Sequence, residues 1–130
     1  FSGSLVGQML PQVFFEKVNS RISRLDDFLG NDFAIIIQDE RLIEKAIDVG
    51  KNLFNKKQLT IIFIGKTNVK MLDFVTHLLP SEDILFKRIW AHRDQIILVR
   101  PDRYVAASFS NENQSDILEK LREVLNLKEN

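Results

Sequence analysis

Cysteine is absent from this chain of 130 residues. That gap excludes a disulfide, a thiolate nucleophile, a Cys-ligated zinc and a Cys-x-x-Cys redox pair. It fits a reducing compartment, and the expected location is the cytoplasm. An excess of charge is also lacking, because 18 Lys and Arg balance 18 Asp and Glu. A chain with no net charge offers no basic platform for nucleic acid and no pull toward an anionic membrane. Long hydrophobic runs are missing as well. The longest is Phe33 to Ile37, against about 18 residues for a membrane helix. No basic-then-apolar segment opens the chain. Residue 1 is Phe rather than Met, which reads as a processed chain or a piece of a longer one. What the sequence does hold is core material. Ten Phe and a hydrophobic share of 45% suffice for one compact domain that needs no staple.

Three short apolar runs read as strands: Phe33–Ile37, Ile61–Ile64 and Ile96–Val99. Each is β-branched, and none alternates with polar residues, so strands covered on both faces are expected. Between the first two, Arg41 to Phe54 carries apolar residues at helical spacing. Strand, helix and strand in about 30 residues make a parallel βαβ unit. Near the end, Pro101-Asp102-Arg103 separates Gln95–Arg100 from Tyr104–Phe109. A turn so tight demands an antiparallel hairpin. Ser115 then caps an amphipathic helix to about Leu127, with Asp116 and Lys120 one turn apart. In the middle, Val69–Leu79 reads as a helix stopped by Pro80, and Ser81 as the cap of a second helix over Glu82–Trp90. The first 24 residues show no regular pattern. The order β-α-β, one or two helices, hairpin and final helix is α/β and thioredoxin-like, which by itself fixes no function.

Chemical motifs are sparse. A thioredoxin-like fold carries its dithiol at the start of the first crossover helix, and here that place reads Asp39-Glu40-Arg41-Leu42. Gly65-Lys66-Thr67 looks like the end of a phosphate loop, but Thr60 stands where the earlier glycine belongs. A turn after a strand is the better account. His77 and His92 could join Asp73 or Asp94 as a metal site or proton shuttle, yet their spacing matches no ligand pattern. A small hydrolase or transferase built on them is the weakest functional reading. The adjacent carboxylates Asp26-Asp27 and Glu82-Asp83 suit helix N-termini better than acid–base work. Trp90 and most Phe residues read as core, with Phe14 and Phe15 outside the regular elements. No Gly-x-Gly-x-x-Gly and no nucleophile elbow is present. No catalytic, cofactor-binding or metal-binding residue is assigned.

The hairpin carries the most specific signal. Leu98-Val-Arg-Pro-Asp-Arg-Tyr-Val-Ala106 resembles the terminal motif of FAD-dependent aromatic-ring hydroxylases of the phenol and 3-(3-hydroxyphenyl)propionate hydroxylase type. Pro11-Gln12 resembles that family's entry to its C-terminal domain, and Leu25-Asp-Asp-Phe-Leu-Gly30 its approach to the first strand. Ala107-Ser108 departs from the Trp and basic residue that many members carry there. The resemblance implies a redox-inactive, C-terminal thioredoxin-like domain at residues 25–130. Residues 1–24 become an irregular lead-in from an upstream flavin domain. It further implies FAD and NADH or NADPH in the parent enzyme but none in this chain, and a structural, docking or dimerisation role. The implied partners are the upstream flavin domains of the same polypeptide or a second copy, with no nucleic acid and no membrane. Arg100, Pro101, Asp102, Tyr104 and Val105 carry over only as a structural motif. The alternative is an independent Cys-free thioredoxin-like module that binds another protein.

Overall fold

A computed structural model describes residues 4–54, 59–110, 119 and 122. Strands β1 (Phe14–Glu16) and β2 (Ile22–Arg24) form a small antiparallel hairpin, followed by a one-turn helix α1 (Leu25–Phe28). Then come β3 (Phe33–Ile37), a 3-10 turn (Glu40–Leu42), α2 (Ile43–Phe54) and β4 (Leu59–Ile64). The remainder is β5 (Val75–Leu78), α3 (Phe86–Trp90), β6 (Ile96–Val99) and β7 (Val105–Phe109). The main sheet has the order β5-β4-β3-β6-β7. β3 runs parallel to β4, and β4 to β5, while β6 pairs antiparallel with both β3 and β7.

The three apolar runs are the three inner strands, and their lack of alternation has a direct cause. On one face Ile35, Ile37, Ile61, Phe63 and Leu98 pack with Leu42, Ala46 and Val49 of the crossover. On the other, Ile36, Ile62, Ile64 and Ile97 pack with Leu10, Val13, Phe15, Phe28 and Phe86. Successive residues point to opposite faces, so a strand covered twice must be apolar throughout. The βαβ unit and the hairpin therefore stand as read.

Other expectations give way. Val69–Leu79 is not a helix: Val75–Leu78 is edge strand β5, in register Ile61↔Val75 to Ile64↔Leu78. Val69 and Leu72, within the span read as a helix, are exposed together with Phe74. Val75 and Thr76 are β-branched and suit a strand. The outer edge of β5 is closed by the lead-in, with Val18 N–H donating to the His77 carbonyl (3.0 Å) and Leu79 N–H to that of Glu16 (2.8 Å). The helix read over Glu82–Trp90 shrinks to α3. Ser81 Oγ accepts from Asp83 N–H and Asp83 Oδ1 from Leu85 N–H. Those local bonds hold two successive turns in place of a helical first turn.

The first 24 residues also contain regular structure, namely β1 and β2. Leu5, Leu10, Val13 and Phe15 of this stretch are buried in the core. Phe15 meets Phe86 edge to face at 5.4 Å, while Phe14 is exposed. Trp90, expected in the core, is 41% exposed. The helix expected over 115–127, with its Asp116–Lys120 pair, lies outside the described residues except for Glu119 and Arg122, both helical.

Candidate functional site

The C-terminal ends of parallel strands in an open α/β sheet are where such folds usually hold ligands. In this chain Gln38 follows β3 and Gly65 follows β4. Between them lies an open groove of about 520 Å3. Its floor and walls include Gln38, Phe63, Pro80 and Trp90, with Lys66 and Asp94 at the rim.

The four positions where the fold would carry a dithiol are chemically occupied by other work. Asp39 caps the 3-10 turn, its Oδ1 accepting from Arg41 N–H at 3.0 Å. The Arg41 guanidinium returns to the same carboxylate at 2.7 Å. Hydrogen bonding from Arg41 holds the Asp39 carboxyl below the ordinary carboxylate value, against the opposing effect of desolvation. Glu40 accepts from Thr67 Oγ1 at 3.0 Å, and Leu42 is buried in the core. This corner is an ion pair, a tether and an anchor.

Gly65-Lys66-Thr67 is likewise a bend and loop that follow β4. Gly65 N–H donates to the Leu78 carbonyl at 3.0 Å, continuing the sheet. A Cβ at this position would lie 2.8 Å from the Phe63 ring, so glycine is needed for close approach. Thr67 Oγ1 accepts from Val69 N–H while donating to Glu40. With that amide and hydroxyl committed, the loop does not fit a nucleotide phosphate, and the groove beside it carries mixed charge. His77 Nε2 donates to the Gly65 carbonyl at 2.6 Å and packs on Phe63. His92 Nδ1 lies 3.2 Å from Gln95 Oε1. Among the described residues no three His, Asp or Glu side chains gather as metal ligands.

The hairpin motif is built more tightly. Arg103 N–H donates to the Arg100 carbonyl (2.9 Å), closing a turn led by Pro101 and Asp102. Arg100 pairs with Asp102 at 2.5 Å, and the same carboxylate accepts from Tyr104 N–H. Val105 is buried. Arg103 adopts φ +72°, the left-handed conformation that commonly follows such a turn and restores the strand twist.

This turn does more than reverse the chain, because it receives the lead-in. Gly7 N–H donates to the Val105 carbonyl, Val105 N–H to that of Gln8, and Leu10 N–H to that of Arg103, all at 2.8 to 2.9 Å. Arg103 then reaches Asp26 Oδ1 at 2.5 Å and the Gly30 carbonyl at 2.7 Å. Gln12 Oε1 accepts from Asp26 N–H at 2.9 Å. The three segments that carried the resemblance, Pro11-Gln12, Leu25 to Gly30 and Leu98 to Ala106, thus meet at one junction. Arg103 and Asp26 are its centre, and sequence reasoning missed both roles. Asp26 read as a helix-dipole charge, and Arg103 as a turn residue. The co-occurrence of the three segments was the available signal.

No curated protein matches the sequence. Among solved structures the thioredoxin domain of a thiol-disulfide oxidoreductase from Bacteroides vulgatus is similar, with a TM-score of 0.61 and 14% identity over 89% of this chain and 96% of that one. A thiol peroxidase from Chromobacterium violaceum gives 0.63 and 15% over 93% of this chain and 87% of that one. Aklavinone-11 hydroxylase, solved with FAD and aklavinone, gives 0.64 and 17%, over 91% of this chain and 21% of that one. The fold is thioredoxin-like. The HcaD C-terminal domain model matches residues 7–124, and the chain belongs to that family.

Proposed function

We propose that the chain is the C-terminal domain of an FAD-dependent aromatic hydroxylase and acts by docking on its flavin domains. The observation that carries this reading is the family match over residues 7–124, to a domain named for its C-terminal position. The likeness to a small part of a hydroxylase solved with FAD and aklavinone supports it at the level of fold. The lead-in strand, stitched onto the family-like turn, suits a domain whose preceding chain must enter in a fixed direction. In this reading FAD and NADH or NADPH belong to the upstream domains, the parent is cytoplasmic, and this domain contributes stability or a dimer contact. It does no thiol chemistry, since the chain has no cysteine.

The test compares the parent enzyme with a version truncated before residue 7, alongside the isolated chain. The isolated chain is expected to purify colourless. Truncation is expected to lower the thermal midpoint of the parent while leaving its flavin absorbance intact. Stoichiometric FAD on the isolated chain would overturn the reading. The alternative, a free-standing Cys-free binding module, draws on the near-complete coverage of the Bacteroides vulgatus thioredoxin domain. The coding sequence upstream of Phe1 separates the two: a flavin-type Gly-x-Gly-x-x-Gly supports the hydroxylase, and a nearby start codon the module.

A further inference from the structure

The loop returning from β4 to β5, residues 66–74, presents more apolar surface than a connection needs. Val69, Leu72 and Phe74 are 61%, 50% and 60% exposed. Exposed apolar side chains scattered singly are ordinary, but a group of them rimmed by polar residues marks an interaction surface. The loop is held in this form by its own contacts. Thr67 Oγ1 donates to Glu40 and accepts from Val69 N–H. Met71 packs against the core shared with α2, and Val75 N–H donates to the Leu72 carbonyl at 2.9 Å. Two hollows flank the loop. One, of about 460 Å3, is lined in part by Lys17, Val69, Lys70, Leu72 and Asp73. The other, of about 380 Å3, is lined in part by Ile47, Lys51, Leu59 and Phe74.

Charge and position narrow the occupant. The hollows bring together three lysines, Lys17, Lys51 and Lys70, against one carboxylate, Asp73. None of the four has an ion pair among the described residues. The chain as a whole carries no net charge, so the excess is local. A second copy of this chain would set lysine against lysine, which opposes association. A flat lipid surface would leave both hollows unfilled. The preceding chain is held at the other margin of the sheet, where Gly7, Gln8 and Leu10 bond to residues 103–105 at β7. The loop borders β5, the opposite edge strand.

We propose that the 66–74 loop docks an acidic amphipathic segment of a separate protein. Its carboxylates pair with Lys17, Lys51 and Lys70, and its apolar side chains rest on Val69, Leu72 and Phe74. The proposal is independent of the hydroxylase reading, since it concerns a surface away from the lead-in.

The experiment titrates the 130-residue chain with the blocked peptide acetyl-Glu-Leu-Leu-Glu-Glu-Phe-Leu-Glu-amide and follows amide nitrogen–proton NMR shifts. Saturable shifts centred on Lys17, Val69, Leu72 and Phe74 are expected, with a Kd of about 100 μM or tighter. Added salt is expected to weaken binding, since the lysines are paired across a solvated rim. Lys17→Glu combined with Lys70→Glu is expected to weaken it about tenfold. Leu72→Ser combined with Phe74→Ser, both at exposed positions, is expected to abolish it while the sheet resonances stay in place. The same peptide with lysine for every glutamate, and vesicles of anionic phospholipid, serve as controls. No saturable response, shifts confined to another surface, or affinity unchanged in both double variants overturns the proposal. Equal binding of the lysine peptide overturns it, and so does binding of the vesicles without binding of the peptide. The full-length polypeptide is expected to bind the acidic peptide equally well; a silent loop there would mean it is covered by its own chain, which overturns the assignment to a separate protein.

Discussion

Arg103 concentrates three roles in one side chain. Its backbone sits at φ +72°, where a Cβ is disfavoured. Its guanidinium, mostly buried, ties the hairpin to Asp26 and Gly30. Arg103→Ala keeps the unfavourable backbone and loses the ties, so a loss of about 2 kcal/mol is expected, as for other hydrogen bonds to charged groups. Arg103→Gly loses the same ties but relaxes the backbone, and is expected to be less harmful than alanine by about 1 kcal/mol. Urea denaturation of the two variants checks the order. An alanine variant as stable as the glycine variant contradicts the backbone argument. Asp39 gives a pH signature. Its folded carboxyl titrates below the ordinary 3.8, so its contribution is complete above that value. It is lost as the pH falls through the lower folded value. Asp39→Asn is expected to flatten that part of the acid-unfolding curve, measured by circular dichroism between neutral pH and strong acid. The partly exposed pair makes the effect small.

At the scale of elements, β5 separates what local pattern reveals from what only pairing decides. Val69, Leu72 and Leu79 have helical spacing, yet the residues from Val75 to Leu78 complete the sheet beside β4. The partners that decide this are Ile61 to Ile64 on one side and Glu16 to Val18 on the other, both remote in sequence. Native-state hydrogen exchange should find the Val18, Gly65 and Leu79 amides protected. Rapid exchange at all three would contradict the strand. The inner strands and α2 were legible because burial on two faces, or on one stripe, leaves its mark in a single short window. β1 and β2 were illegible because three residues each cannot display a period. Of the candidate site, the turn geometry of Arg100 to Val105 was readable from Pro101 and Asp102. The Arg103–Asp26 tie spans 77 positions and leaves no local trace. Within α2, Gly50 is a soft spot. A Cβ there would come 2.5 Å from Leu59 Cδ2, the mobile end of a side chain. Gly50→Ala gains about 1 kcal/mol of helix propensity and is expected to raise the thermal midpoint once Leu59 rotates.

At the scale of the molecule, the sheet is closed by parts that sequence alone would call peripheral. Leu5, Leu10, Val13 and Phe15 share a core with Ile36, Ile62 and Ile97. The lead-in is therefore part of the domain's interior rather than a leash attached to it. Leu10→Ala is expected to cost about 3 kcal/mol, the usual range for a buried leucine, in equilibrium denaturation. A cost near zero would return the segment to the status of a tether. The opposite face depends on α2, and Arg122 donates to the Asn52 carbonyl at 2.8 Å, fastening the later chain to that helix.

The stitching of residues 7–10 onto residues 103–105 also sets how the domain carries a load. A pull on the chain ahead of Gly7 meets the buried Leu5 and then backbone hydrogen bonds to the hairpin turn. Arg103 then passes the tension to Asp26 and Gly30, the segment that leads into β3. Strain arriving from the preceding chain is thus divided between an edge of the sheet and its centre. The domain is gripped at two points rather than peeled from one.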